Sequence, residues 1–136
     1  MTRSIFISLP VTDLKASIAF YEAIGFKNNP QFTGDEGTCM VWSDTISFML
    51  LTHAKWGTMT RRPITPKDSS EVMLALSCDS REAVDAMAEA AGAHGGSVDI
   101  NPVEDHGFMY GRDLGDPDGH AIGAMWMDAS AMSAQG

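Results

Sequence analysis

Two stretches of this chain repeat one plan, and the repeat constrains the fold more than any other feature. Ile5, Ile7, Leu9 and Val11 alternate with Phe6, Ser8 and Pro10, the period of two that a half-buried strand requires. Asp13 follows as an N-cap, and Leu14, Ser17, Ile18, Tyr21 and Ile24 recur at three- and four-residue spacing up to Gly25, which predicts a helix. After residue 70 the plan returns. Val72, Leu74, Leu76 and Cys78 alternate with Met73, Ala75 and Ser77, and a second helix carries Val84, Met87, Ala88 and Ala91 before Gly92. Asp79 follows Asp13 by 66 residues (79 − 13), and each reads as closing a strand and opening a helix.

The remaining elements fit the same duplication. In the first unit a strand over residues 26–32 breaks near Pro30, Gly34 to Gly37 form a turn, and strands at 38–42 and 46–52 make a hairpin around Ser43-Asp44-Thr45. In the second, Gly95-Gly96 precede a short strand around Val98. A strand at 110–114, the turn Gly115-Asp116-Pro117-Asp118-Gly119 and a last strand from His120 to Met127 follow. Between the units, residues 53–70 are polar, hold Pro63 and Pro66 and carry four of the nine basic residues, as an exposed connector with a short helix would. The expected organisation is one domain over 1–128, with module one at 4–52, the connector at 53–70 and module two at 71–128, then a flexible tail at 129–136. Helices on the Ile5/Val72 side leave the other face of each sheet to be covered by the second module or to enclose a cavity.

Charge narrows the partners. With 18 acidic against 9 basic residues the net charge is −9, so a nucleic acid or an anionic membrane surface would be repelled. The longest apolar runs, Ile46 to Leu51 and Ala121 to Met127, are strand-sized and far below the roughly 20 residues of a membrane-spanning helix. The first ten residues make a poor secretory signal, and the expected location is cytoplasmic. Cys39 and Cys78 lack metal-type spacing and lie in apolar strands, where a small buried hydrophobe is the plain reading and a reactive thiol the alternative.

Val11-Thr12-Asp13-Leu14-Lys15-Ala16-Ser17-Ile18-Ala19-Phe20-Tyr21 followed by Gly25-Phe26, together with Asp116-Pro117-Asp118-Gly119-His120, resembles the vicinal oxygen chelate superfamily. Its members include glyoxalase I, the extradiol dioxygenases, and the fosfomycin and bleomycin resistance proteins. The resemblance spans nearly the whole chain. It implies an α+β fold of two βαβββ modules forming a curved mixed sheet with a half-open cup and helices on the outer face. It also implies a homodimer, since members of this size commonly pair modules between subunits.

In the metalloenzymes of that superfamily four side chains, from the first and fourth strands of each module, hold a divalent cation in the cup. Carried over by position, these places hold Phe6, seven residues before Asp13, and Met73, six before Asp79. Gly123 stands four residues after Gly119, where a glutamate is expected, and the fourth-strand place falls at Met49, Leu50 or Leu51. None offers the oxygen or nitrogen donors such a cation needs. His120 is three residues from Gly123, on the opposite face, as an edge or surface histidine. His53, His94 and His106 lie in or beside loops; a site from His53, His106 and Glu104 would be a chance assembly.

What remains is an apolar cup. Alternation places Phe6, Ser8, Met73, Ala75, Ser77, Ala121, Gly123 and Met125 on its wall, with Met49 and Leu51 from the fourth strand, or Phe48 and Leu50 in their stead. Ten methionines suit an adaptable surface, though the same residues could be plain core. Tyr110, with Glu104, His106 and Arg112 in the segment beside the mouth, is read either as polar recognition or acid–base chemistry, or as an ordinary loop and strand start. Trp42 and Trp126 read as packing or interface residues and Trp56 as a candidate lid. The functional expectation is a metal-independent protein that binds a small, partly aromatic molecule, with no cofactor. The alternatives are a metal-dependent lactoylglutathione lyase or extradiol dioxygenase, a metal-free enzyme using Tyr110, His106 or Glu104, and a cup filled by its own side chains.

Overall fold

Asp13 does what its position predicts. In a computed structural model, which describes residues 2–130, strand β1 (Ile5–Val11) runs into helix α1 (Leu14–Ala23), and the Asp13 carboxylate accepts the Ala16 N–H at 3.1 Å. In the second module the equivalent cap is Ser80, not Asp79. Its hydroxyl accepts the Ala83 N–H at 3.0 Å and opens α3 (Arg81–Ala93) after β5 (Met73–Ser77). The link is one residue longer there, and either side chain can fill a cap.

The first sheet has the order β1-β4-β3-β2, with β2 at Lys27–Asn29, β3 at Gly37–Ser43 and β4 at Ile46–Thr52. Pro30 turns the expected end of β2 into a short 3₁₀ segment, Pro30–Phe32, because a proline cannot donate to the ladder. The connector opens with α2 (His53–Met59). The second sheet has the order β5-β9-β8-β6, with β6 at Ser97–Val98, β8 at Met109–Gly115 and β9 at Ala121–Met127. A further short strand, β7 (Glu104–Asp105), pairs with β8. β1 and β4 are parallel, as are β5 and β9, and the hairpins are antiparallel. The fold is thus the expected α+β pair of βαβββ modules, built as two open mixed sheets that are not hydrogen-bonded to each other. Among the described residues no helix is long and apolar enough to cross a membrane. Of the tail expected from 129, residues 131–136 lie outside the described residues.

Register fixes the faces. Ile7 pairs with Phe48 and Leu9 with Leu50, and these turn toward α1, where Phe20, Tyr21, Phe26 and Phe48 meet edge-on or tilted at 4.8–5.7 Å. In the second module Leu76, Leu114, Ile122 and Ala124 meet Val84, Met87, Ala88 and Ala91 of α3. The two helices touch, so both halves share one core. Gly96 is required at this contact, since a Cβ there would collide with the Phe20 ring and the Gly115 carbonyl. Cys39 is buried and Cys78 half-buried, both as free thiols.

The turn between β8 and β9 clamps the modules together. Tyr21 Oη donates to Asp116 Oδ2 at 2.7 Å, deep in the core. Asp116 Oδ1 accepts the N–H groups of Asp118 and His120 at 2.9 and 2.8 Å. The Thr12 N–H and hydroxyl donate to Asp118 Oδ1 at 3.0 and 2.8 Å. His120 Nε2 donates to the Pro10 carbonyl at 2.7 Å. His120, expected at an edge or on the surface, is instead half-buried in the seam between modules.

Burial pushes the Asp116 carboxyl above the ordinary carboxylate range, opposed by the nearby His120, the Tyr21 hydroxyl and the two backbone donors. A folded-state pKa above the unfolded one means that this group contributes stability in its protonated form and loses it as pH rises through the folded value. Tyr21→Phe removes one donor from a buried carboxylate, and we expect it to cost about 1–3 kcal/mol at pH 7. The cost should shrink toward pH 4.5, because a protonated Asp116 needs the donor less. Chemical denaturation of both proteins at the two pH values tests this, and a pH-independent difference would contradict it.

Candidate functional site

The faces turned away from the helices carry most of the expected cup. On the first sheet Phe6 pairs with Ser47, Ser8 with Met49 and Pro10 with Leu51, so Met49 and Leu51 share the face of Phe6 and Ser8, while Phe48 and Leu50 fill the core. On the second, Met73 pairs with Ala121, Ala75 with Gly123 and Ser77 with Met125. Phe6 is 64% and Met73 67% exposed. Ala75 and Ser77 are also exposed, Ser8, Met49, Gly123 and Met125 are half-buried, and Leu51 is buried. A Cβ on Gly123 would stand 3.1 Å from Asp113 Oδ1. Asp113 therefore reaches this same face, a carboxylate that strand alternation from Gly111 could have revealed.

Tyr110 is a correction. It pairs with Trp126, one residue out of phase with Gly111 and Met125, so alternation turns it to the helix side and away from the cup. Its hydroxyl donates to Asp85 Oδ1 at 2.6 Å. Arg112 joins Asp85 at 3.0 Å and grips Asp99 through two nitrogens at 3.1 and 2.9 Å. Arg81 lies over the rings of Tyr110 and Trp126 at 5.1 and 5.3 Å. It also holds Asp105 by a two-pronged bond at 2.9 and 2.8 Å, which with the Gly107 N–H lowers that carboxyl to about 2. The hydrogen bond to Asp85, then burial, raises Tyr110 above its ordinary value. This surface lattice is a brace between α3 and the second sheet.

The metal alternative finds no ligand set. Phe6, Met73, Gly123 and Met49 or Leu51 supply no oxygen or nitrogen donor from their side chains, and among the described residues no three His, Cys, Asp or Glu side chains converge. Glu104 and His106 sit 3.5 Å apart on the exposed edge by β7, with His106 stacked on Phe108. His53 opens α2 at the start of the connector, and the three are not brought together. The residues present do not fit a divalent cation.

A cleft of about 820 Å³ lies where the edge strands β1 and β5 approach each other. Leu9, Pro10, Leu51, Leu74 and Ala121 give it an apolar floor, and Trp56 and Met59 of α2 overhang it. Arg62 from the connector, Glu71 at the start of module two, and Asp118 and His120 from the clamp add a few polar groups. Ser8, Leu51 and Ala121 are the expected cup residues that line it; the others lie outside. Trp56, the candidate lid, is thus part of a wall. Its indole N–H is buried without a protein partner, as is Asp118 Oδ2. Trp42 packs on Phe26 at 5.1 Å, and Trp126 lies against the core beneath Arg81, both as packing residues. With Nε2 donating to Pro10, a neutral His120 keeps its lone pair on Nδ1.

The roof rests on one glycine. Gly119 has φ +86°, and a Cβ there would land on the Lys67 carbonyl oxygen of the connector. Gly119→Ala should therefore both strain the turn and lift the connector. We expect faster proteolysis within 60–70 and a Tm several degrees lower; unchanged cleavage kinetics would mean that the connector is not held by this contact.

The model of the Glyoxalase/Bleomycin resistance protein/Dioxygenase superfamily matches residues 4–123. A solved hypothetical protein from S. aureus is 26% identical, with a TM-score of 0.76 over 93% of this chain and 95% of its own. A glyoxalase/bleomycin resistance protein from Albidiferax ferrireducens is also 26% identical, with a TM-score of 0.67 over 89% and 95%. A glyoxalase/bleomycin resistance protein/dioxygenase family enzyme from Burkholderia phytofirmans is 18% identical, with a TM-score of 0.78 over 93% and 99%, a likeness of fold. No curated protein matches the chain.

Proposed function

Because the chain belongs to the Glyoxalase/Bleomycin resistance protein/Dioxygenase superfamily, we propose that it is a metal-independent member that binds a small, partly aromatic molecule in the cleft between its modules. The observation that carries this reading is the cleft itself. Its volume of about 820 Å³ suits a small organic ligand, and an apolar floor with a few polar groups at its rim is the usual make-up of such sites. The four positions where metalloenzymes of the superfamily place ligands are apolar or empty here, so binding, with no reaction at a cation, is the activity that this set of side chains supports. Sequestration needs no catalytic residue.

The same reading includes a second copy of the chain. Phe6 and Met73, on the sheet faces turned away from the helices, are each well over half exposed, and burying such side chains is the main gain available from association. A cytoplasmic location fits two free cysteines, since thiols persist in a reducing compartment.

Native mass spectrometry with thermal-shift titration of Zn²⁺, Ni²⁺, Mn²⁺ and Fe²⁺ tests the proposal. The expected result is the mass of two chains, no tightly held ion and no stabilisation by any of the four metals. One divalent ion per chain would overturn it in favour of a lyase or dioxygenase, and a monomer at micromolar concentration would remove the second copy.

A further inference from the structure

One wall of the cleft is built from chain that is barely tied to the rest. Thr60 caps α2, and the strap that follows, residues 61–70, supplies Arg62, Pro63, Thr65, Pro66, Ser69 and Ser70 to the lining. Its hydrogen bonds are local: the Arg62 N–H donates to Thr60 Oγ1 at 3.2 Å and the Ser69 N–H to the Pro66 carbonyl at 3.0 Å. Among the described residues no hydrogen bond or ion pair joins 61–70 to either module. Every residue of the strap is exposed except Ile64, which is half-buried and stands outside the lining of the cleft. Packing alone therefore holds the strap in place, through Ile64 and through the Lys67 carbonyl against Gly119. A segment with few buried apolar contacts and unbonded backbone opens at small cost. Pro63 and Pro66 stiffen its middle, so the movement falls at the two ends, by Thr60 and Ser70.

Resting on the reading of this cleft as a ligand site, we propose that residues 61–70 are its gate, a strap latched by Ile64 that swings away to admit the ligand and docks over it once bound. The wall that the strap supplies exists only while it is docked, so docking and binding are linked. Whatever favours the docked strap tightens binding, and a bound ligand in turn holds the strap down. Ile64 is a positioning residue, since it acts on the ligand only through the strap.

Trypsin and N-phenyl-1-naphthylamine, a neutral probe whose fluorescence rises in apolar surroundings, test the assignment. The strap holds two scissile bonds, Arg61–Arg62 and Lys67–Asp68, while the bond after Arg62 is blocked by Pro63. These two should be cut first in the native protein, with the bonds after Lys15 and Arg81, both in helices, still intact. Cleavage needs the open strap and the probe needs the docked one, so the probe should slow these cuts by about 10-fold at about ten times its Kd. Ile64→Asp puts a charge at the latch without touching the lining, and it should speed the strap cuts and weaken the probe about 10-fold. Should that variant not fold, the protein nicked at Lys67–Asp68, its fragments held together by the shared core, should show the same loss of affinity. A probe that binds yet leaves strap cleavage unchanged, or that binds the unlatched or nicked protein as tightly as the intact one, would overturn the gate and leave the cleft as an open site. Failure of the probe to bind at all would overturn the proposed function along with it.

Discussion

Asp116 is the constraint on which the rest of the structure depends. One carboxylate, buried to 3% exposure, accepts a hydroxyl proton from the first module and two backbone N–H groups of its own turn. A buried charge is tolerable only when its lone pairs are filled, so the turn can adopt this shape only while Tyr21 of α1 stands beside it. That requirement couples the modules across 95 residues of sequence and fixes the relation of α1 to α3. The two further links, Thr12 to Asp118 and His120 to Pro10, then set how closely β1 and β5 approach.

The cleft follows from that arrangement. The two sheets share a core through their helices but do not join through their edges, and Pro10 brings no N–H to the edge of β1. The space left between them is roofed by α2 and the connector, which rests on Gly119. The proposed binding site is therefore this joint between modules, beside the clamp residues. The sheet positions that serve metal chemistry elsewhere in the superfamily carry Phe6, Met73 and Gly123 and contribute no donor. Fold and chemistry are separable in this superfamily, and here the scaffold is kept while the cation's donors are missing.

Local pattern made the elements legible. Alternation placed β1 and β5, three- and four-residue spacing placed both helices, and turn residues placed the hairpins that hold β4 and β9. The choice of Met49 and Leu51 over Phe48 and Leu50 needed the pairing of β4 with β1, since a run of apolar residues gives no phase of its own. Tyr110 failed for the same reason: in Met109-Tyr110-Gly111-Arg112 neither face is marked by hydrophobicity, and the partner Asp85 comes from a helix 25 residues away. Asp116 to His120 could be recognised as a turn, but their role as a clamp rests on contacts at separations of 95 to 110 residues, which no local period encodes. Trp56 could be singled out by type and place; its missing hydrogen-bond partner is a property of the folded surroundings.

The central claim is that a ligand seats at the joint between modules, and the indole N–H of Trp56 reports it most directly. In ¹H–¹⁵N spectra the three tryptophans give three indole signals, and Trp56→Phe identifies one. Titration with N-phenyl-1-naphthylamine should move the Trp56 signal, with the Gly119 and His120 amides, and leave Trp42 and Trp126 in place. Shifts confined to Gly123, Met125 and their neighbours, with Trp56 unmoved, would put the ligand on the open sheet face and contradict the account.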